Sequence, residues 1–378
     1  MSDSPIIQSY TPLPSGPSPW PTVDPFLFCV HHNDQYPAGQ EDMSPKASLA
    51  GRAIGADFSN RDGWSMYHGR QAPGFPEHPH RGFETVTLAR QGFIDHSDSL
   101  GATARFGQGD AQWMTAGGGV VHCEMFPLIN TEAPNPTELF QIWLNLPKAD
   151  KMVPAYFTML WAEELPTLWV SGGKVERTSV EAKRAPLPAR SAPIAEVTVI
   201  SGALGGVSLP KPPPNSWAAR PEAEVGIWSL RLQEGASLTL PPASEGVKRS
   251  LYLFKGAPGA TLRVGDAVSA ELTAPAQSTP KEVIQLEHAT SLTPNRATTL
   301  KAEGGALEAL VLQGRPIGEP VVQHGPFVMN SRAEIRQTIY DYQRTGFGGW
   351  GWGRSDPTHP RDAGRFAIHA DGREERRG

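Results

Sequence analysis

The residues with the clearest chemistry form two pairs, each spaced by two. In His78-Pro79-His80 the imidazoles stand at i and i+2. On an extended strand such residues point to the same face, so both can address one ion. His122-Cys123-Glu124 repeats the spacing with an imidazole and a carboxylate. The turn Thr115-Ala-Gly-Gly-Gly119 precedes it and can bring the second pair to the first. Three imidazoles and one carboxylate, with water completing the shell, suit Fe(II) and also Mn, Ni, Cu or Zn. Zinc more often takes four ligands. Cys123 falls on the face opposite His122, which argues against thiolate ligation. Glu84 is a competing carboxylate, on the same face as His80 if the strand runs unbroken. Its structural alternative is an ion pair with Arg81 or Arg105. The even-numbered face continues through Val86 and Leu88, which read as core, so the histidine pair should point inward.

The remaining histidines read as non-ligands. His31 and His32 are expected to follow a strand, and His68 and His96 to sit in loops. His32 or His68 is a candidate for lining a cavity. His324, His359 and His369 read as structural hydrogen-bonders. No histidine lies between His122 and His288, so the C-terminal half cannot rebuild a His-x-His site. Any metal belongs to the N-terminal half.

The elements that must position these residues are short strands. The 378 residues include 39 glycines and 37 prolines, a density of breakers that excludes a helical bundle and favours many turns. The length allows about two domains. Residues 1–25 read as a Pro-rich arm, extended or mobile, with Ile6, Ile7, Tyr10 and Trp20 available to dock. Residues 26–172 form a first β unit and 173–195 a linker. Residues 196–347 form a second β unit, and 348–378 a Gly-, Arg- and Trp-rich tail. Phe140, Ile142, Leu144 and Leu146 alternate with Gln141, Trp143 and Asn145, a strand with two different faces. Ser331-Arg-Ala-Glu334 is a capping box, and Ile335, Ile339 and Tyr342 extend it as a helix that Gly346 ends. The net charge of −5, without a Lys/Arg block, disfavours direct nucleic-acid binding. There is no apolar run of membrane-spanning length and no signal-like start, and two cysteines make no disulfide framework. A cytoplasmic location is the expectation.

Longer motifs carry a family resemblance. His78-Pro-His-Arg-Gly-Phe-Glu-Thr-Val86, Gly109-Asp-Ala-Gln-Trp-Met-Thr-Ala-Gly117 and His122-Cys-Glu-Met125 closely resemble the pirin family of bicupins. Trp143-Leu-Asn-Leu-Pro147 and Gly325-Pro-Phe-Val-Met-Asn330 also match. The resemblance spans roughly residues 23–160 and 195–350. It implies an all-β fold of two cupin-type β-barrels with a short C-terminal helix. It also implies one iron, Fe(II), on His78, His80, His122 and Glu124, with Mn, Ni, Cu, Co or Zn as alternatives. In more typical cupins the carboxylate ligand follows the second histidine by four residues, here Glu84; the pirin pattern favours Glu124. Two barrels in one chain imitate the dimer of single cupins, so a monomer is expected.

The function implied is an Fe(II) dioxygenase that uses O2 to open the ring of a quercetin-like flavonol and release carbon monoxide. Glu124 would act as the catalytic base. Phe83, Trp113, Met125 and Phe126 are candidate walls, although alternation sets Phe83 and Met125 on the face away from the ligands. The alternative is an iron-dependent, redox-sensitive regulator acting through a protein partner. Three departures bear on substrate choice: residues 35–75 are longer than in typical pirins and could cover the cavity mouth, Cys123 replaces the commoner Ser or Ala, and the Pro-rich arm and the Trp350-Gly-Trp352 to Gly378 tail are extensions.

Overall fold

The computed structural model describes residues 5–172, 174–178, 192–207, 209–266 and 283–378. Most of the expected linker, 173 and 179–191, lies outside the described residues. Among those described there are strands, short 3-10 turns and one α-helix, which is the all-β class expected. No helix is long and apolar enough to cross a membrane.

The strands as far as residue 171 are β1 (Ile7–Pro12), β2 (Phe26–Tyr36), β3 (Gly74–His80), β4 (Phe83–Gln91), β5 (Phe93–Asp98), β6 (Thr103–Gly107), β7 (Ala111–Thr115), β8 (Val120–Met125), β9 (Asn135–Asn145), β10 (Tyr156–Leu160) and β11 (Thr167–Ser171). In the N-terminal half a five-stranded sheet, β10-β7-β4-β9-β2, faces a second sheet containing β6-β5-β8-β3. Ile94 and Phe106 of one sheet and Met114, Leu139 and Phe157 of the other belong to the same buried cluster. His31 and His32 lie within β2 rather than after it, and His96 lies within β5 rather than in a loop.

Two-residue alternation does not carry across from β3 to β4. The chain changes sheet at Arg81-Gly82, where Gly82 has φ +86°. The inward face of β4 therefore carries Thr87, which lines the cavity described below. Val86 and Leu88, with Phe140, Ile142 and Leu144 of β9, lie in one apolar cluster with Ile227, Tyr252, Leu310 and Leu312 of the C-terminal half. The strongly apolar faces of β4 and β9 thus bind the halves together rather than filling the first one.

The C-terminal half also pairs two sheets. Strands 194–201, 226–232, 248–256, 288–292 and 307–314 form the larger one, together with 174–178, and strands 237–240, 261–266, 283–285 and 298–303 form the smaller. Its described core is aliphatic, with Trp228, and contains no histidine. Strand β11, placed with the first half from sequence, pairs with 194–201 in this second half, Leu168 opposite Val197.

The arm and the tail are both held by strand pairing. In the arm, β1 adds to the edge strand 288–292, and Ile6 and Ile7 pack on the aliphatic core. Trp20 enters the apolar interface and stacks on Tyr252 with ring centroids 5.3 Å apart. In the tail, strand 365–368 pairs with the edge of β6, Phe366 opposite Arg105, and 374–377 pairs with it in turn. The Arg105 guanidinium forks onto Asp95 at 2.7 and 2.8 Å and donates to the Pro360 carbonyl at 2.7 Å. Helix α1 (Arg332–Thr345) begins at Ser331, whose hydroxyl accepts from the Glu334 N–H, and ends at Gly346 with φ +53°. Ile335, Phe327, Met329 and Phe347 cluster with Val121 of β8, and Asp341 pairs with Arg81 at 2.9 Å. The helix thus braces the strand that carries His122.

An ion network also joins the halves: Arg90 bonds both Glu138 and Glu308, and Lys255 lies 3.6 and 3.4 Å from the same two carboxylates. Burial alone would raise the Glu138 carboxyl, but the His31 hydrogen bond and the Arg90 and Lys255 charges hold it at about 2, against an ordinary 4.5. A depressed folded value contributes stability above pH 4.5 that is lost as the pH falls toward 2. Glu138→Gln should therefore lower the urea stability at pH 7 by about 2 kcal/mol, after discounting for solvent screening. The gap to wild type should close as the pH is lowered to 2. A second expectation concerns the seam between β3 and β8. Gly74 has φ +130°, and a Cβ there would sit 2.5 Å from the Glu124 carbonyl oxygen. Gly74→Ala should cost about 2–3 kcal/mol in thermal unfolding, combining strain with the clash. Gly101→Ala, at φ +82° with nothing near, should cost only about 1 kcal/mol.

Candidate functional site

The site is built on β8, which lies between β3 and β5. His122 stands opposite His78 of β3 on one side and Asp98 of β5 on the other, and Glu124 stands opposite His96. Because β3 and β8 are both extended, His78 and His80 share one face and His122 and Glu124 another, and the pairing superposes those faces. Ring centroids of His78, His80 and His122 are 4.5 to 4.9 Å apart. One nitrogen from each ring falls in a group within 4.8 Å, a cluster able to hold a metal ion.

Burial sets the protonation of these rings. It lowers His78 to about 4 and holds His80 and His122 well below the ordinary imidazole value, with the neighbouring imidazoles adding to the effect. They are neutral at pH 7, as metal ligands must be. His78 Nδ1 donates to the Pro76 carbonyl at 2.8 Å, which leaves Nε2 as a bare lone pair. His80 Nδ1 and His122 Nε2 are buried and have no hydrogen-bond partner. Buried orphan nitrogens are costly, and a cation at the cluster would satisfy them.

Glu124 lies beside this cluster, with Oε2 4.0 Å from His122 Nε2. Burial raises its carboxyl, and hydrogen bonds from Thr87 (2.9 Å) and Gln141 (2.8 Å) act in the opposite direction. Glu84 does not join it. That side chain faces the other half of the molecule, accepting from Thr115 and Ser216. Burial lifts it to about 7. Neither expected ion pair forms, since Arg81 pairs with Asp341 and Arg105 with Asp95. The break between β3 and β4 explains why Glu84 and His80 do not share a face.

The cluster sits at the base of a cavity of about 450 Å³, within the usual range of ~300–1,000 Å³ for small-molecule sites. Its walls are Phe28, Val30, Phe75, Phe126, Leu139 and Trp143, with Thr87 and Gln141 beside Glu124. Gly55, His68 and Arg70 of the 35–75 segment and Ser355 and Asp356 of the tail also line it. That segment is held by the buried Arg52, which stacks 3.4 Å over Trp64 and bonds Asp57 at 2.9 Å. Of the expected walls, Phe126 is present. Trp113 lies in the interface between the halves, Met125 packs with Cys123 and Ala72, and Phe83 touches His80 from behind. Both cavity-lining candidates, His32 and His68, are there. His359 and His369 make the structural bonds expected, to Thr103 and Glu375.

Several residues of the site escaped the sequence reading. Thr87, Gln141 and Trp143 sit on the less apolar faces of β4 and β9, and alternation within each strand is the signal that pairs them. His96 and Asp98 repeat the i, i+2 spacing, which marks them as one more same-face pair.

Comparison with known proteins agrees with this architecture. Residues 14–144 match the family model for pirin, and 227–348 that for the pirin C-terminal cupin domain. A Pseudomonas aeruginosa protein named "Putative quercetin 2,3-dioxygenase" is 33% identical over 71% of this chain and 79% of its own. Mouse pirin is 31% identical over 79% of this chain and 88% of its own. The crystal structure of quercetin 2,3-dioxygenase from Acinetobacter baumannii superposes with a TM-score of 0.64 at 24% identity, covering 91% of this chain and 99% of that one. That likeness is one of fold. Two cupin-type halves, the imidazole cluster in the first, and both family models in register with them together show that this chain belongs to the pirin family.

Proposed function

We propose that the chain binds a single Fe(II) through His78, His80, His122 and Glu124, and acts as a dioxygenase on a planar, flavonol-like aromatic. The observation that carries this reading is the set of buried, unpartnered imidazole nitrogens at the base of an aromatic-walled cavity, with a carboxylate beside them. Nitrogen and carboxylate donors suit iron, and equally Mn, Ni, Cu, Co or Zn, so metal analysis of the purified protein assigns the ion. When bound, the metal supplies a Lewis acid and a common point for substrate and O2.

The chain's own residues do the rest. Phe28, Phe126 and Trp143 offer flat apolar surface to the substrate rings and exclude water. Glu124 takes the proton of the 3-hydroxyl group; burial raises its carboxyl, toward the value a base at neutral pH needs. Thr87 and Gln141 hold its two oxygens in place during that transfer. Both atoms of O2 end in the ring-opened product, and the carbon between the cleaved bonds leaves as carbon monoxide. Names borne by relatives support this reading, among them the Pseudomonas aeruginosa protein. At the mouth, His68, Arg70 and Asp356 would choose among ring substituents.

The decisive experiment is quercetin-dependent O2 uptake by anaerobically Fe(II)-loaded protein, run beside His80→Ala. Uptake in the wild type and its loss by at least about a hundredfold in the variant is expected. Iron retained without uptake, on any flavonol tried, would sink the enzyme reading and favour an iron-dependent regulator; comparing the proteins captured by Fe(II) and Fe(III) forms would then test that. The ligand assignment has its own check. Glu124→Gln should weaken metal binding in a chelator competition by more than the roughly 10–100-fold that loss of an outer-shell partner costs. Glu84→Gln should leave it unchanged, because Glu84 faces Ser216 across the interface between the halves.

A further inference from the structure

Behind His122, on the side away from His78 and His80, stand two buried polar residues that the proposed reaction does not use. His96 is fully buried on β5, with Nδ1 3.4 Å from His122 Nδ1 and Nε2 3.3 Å from Asp98 Oδ2. Asp98 Oδ1 accepts from the N–H groups of Leu100 and Ala102 at 2.8 and 3.0 Å, so that carboxylate is itself fixed in orientation. The placement follows from strand register: the His96/Asp98 pair of β5 lies across from the Glu124/His122 pair of β8. Phe157 packs on the His96 ring, with centroids 5.2 Å apart, and limits its rotation.

Hydrogen-bond direction along this chain is determined by its end. An ionised carboxylate only accepts, so His96 must present its N–H at Nε2. A neutral His96 then has a lone pair at Nδ1 and can only accept there. His122 must therefore carry its proton on Nδ1, which leaves Nε2 bare. That is the atom found buried without a partner, 4.0 Å from Glu124. We infer that Asp98 and His96 form a hydrogen-bonded relay that locks His122 in its Nδ1–H form and aims the Nε2 lone pair at the imidazole cluster. Both are positioning residues, and their link to a metal ion rests on the function proposed above.

His78 reaches the same state by another route, through the Pro76 carbonyl. The relay differs because its acceptor is an imidazole backed by a charge. Such partners orient a ligating imidazole and increase its basicity, and their loss typically weakens metal binding 10–100-fold.

The test reads the tautomer first, without metal. In protein labelled with 15N-histidine, long-range 1H–15N correlation should show His122 protonated at Nδ1 and His96 at Nε2. His122 protonated at Nε2 in the wild type would overturn the inference. The affinity of Co(II) or Ni(II), from chelator competition, should fall about 10–100-fold in His96→Leu. His96→Asn, whose side-chain oxygen can stand near Nδ1, should keep the His122 tautomer and most of the affinity. Equal tautomer and affinity in His96→Leu and wild type would also overturn it. Should His96→Leu fail to fold, the wild-type tautomer and the Asn variant still decide. An Nδ1–H His122 in a wild type that takes up no metal would support the relay and remove the metal reading, so the two failures are separable.

Discussion

Everything in the site depends on the register of one six-residue strand. β8 is hydrogen-bonded on both sides, and extended backbone repeats every two residues. A slip of one residue against either neighbour would replace His122 and Glu124 on the inner face by Val121 and Cys123. The fold guards against that slip from several directions. Gly74 admits the Glu124 carbonyl at a distance no side chain would permit. Phe347 and the α1 residues pack against Val121 on the outer face. The tail hairpin closes the free edge of β6 two strands away, and Arg105 clamps Asp95 to the tail backbone. Segments distant in sequence therefore meet on one sheet, and their shared effect is to hold three strands in step.

The same periodicity explains how much of this was legible in the sequence. Within a strand, spacing of two is reliable because steric alternation enforces it: His78 with His80, and His122 with Glu124, were readable for that reason. Across the Arg81-Gly82 break it failed, because Gly82 lets the chain leave one sheet for the other. Glu84 would share the face of His80 only on an unbroken strand, and it faces Ser216 instead. The division of faces on β9 was visible, but not which face turned toward the cavity. In a single sandwich the apolar side would be the interior. Here Phe140, Ile142 and Leu144 meet the second half, and Gln141 and Trp143 are left to line the cavity. Hydrophobicity identifies a buried face without saying what buries it.

The ends of the chain show the complementary limit. Composition marked residues 1–25 as extended, and β1 is extended, yet its partner strand lies some 280 residues away in sequence. The Gly-, Arg- and Trp-rich tail builds on the first half: its strand 365–368 borrows the edge of β6, and Ala367 joins the buried cluster there. Edge pairing is nearly silent in sequence, since backbone groups supply the bonds and any residue but proline can donate them. The capping box of α1 was readable because its chemistry is local: Ser331 and Glu334 satisfy each other's neighbourhood within one turn.

Burial is the second requirement of the site, and it acts against polar groups unless each has a partner. The two carboxylates on either face of β4 show how this is met. Glu84 accepts from the Thr115 and Ser216 hydroxyls, and burial lifts it to about 7. Glu124 has Thr87 and Gln141 for its two oxygens, and the imidazole cluster beyond them. Three neutral buried rings offer lone pairs that a cation at the cluster would satisfy. The second half has the same architecture and an aliphatic interior, with no histidine in its described core. Stability alone would favour that solution in both halves. The first half instead keeps unsatisfied imidazole nitrogens in one cluster, beside a carboxylate and an open aromatic cavity, an arrangement able to hold a metal ion.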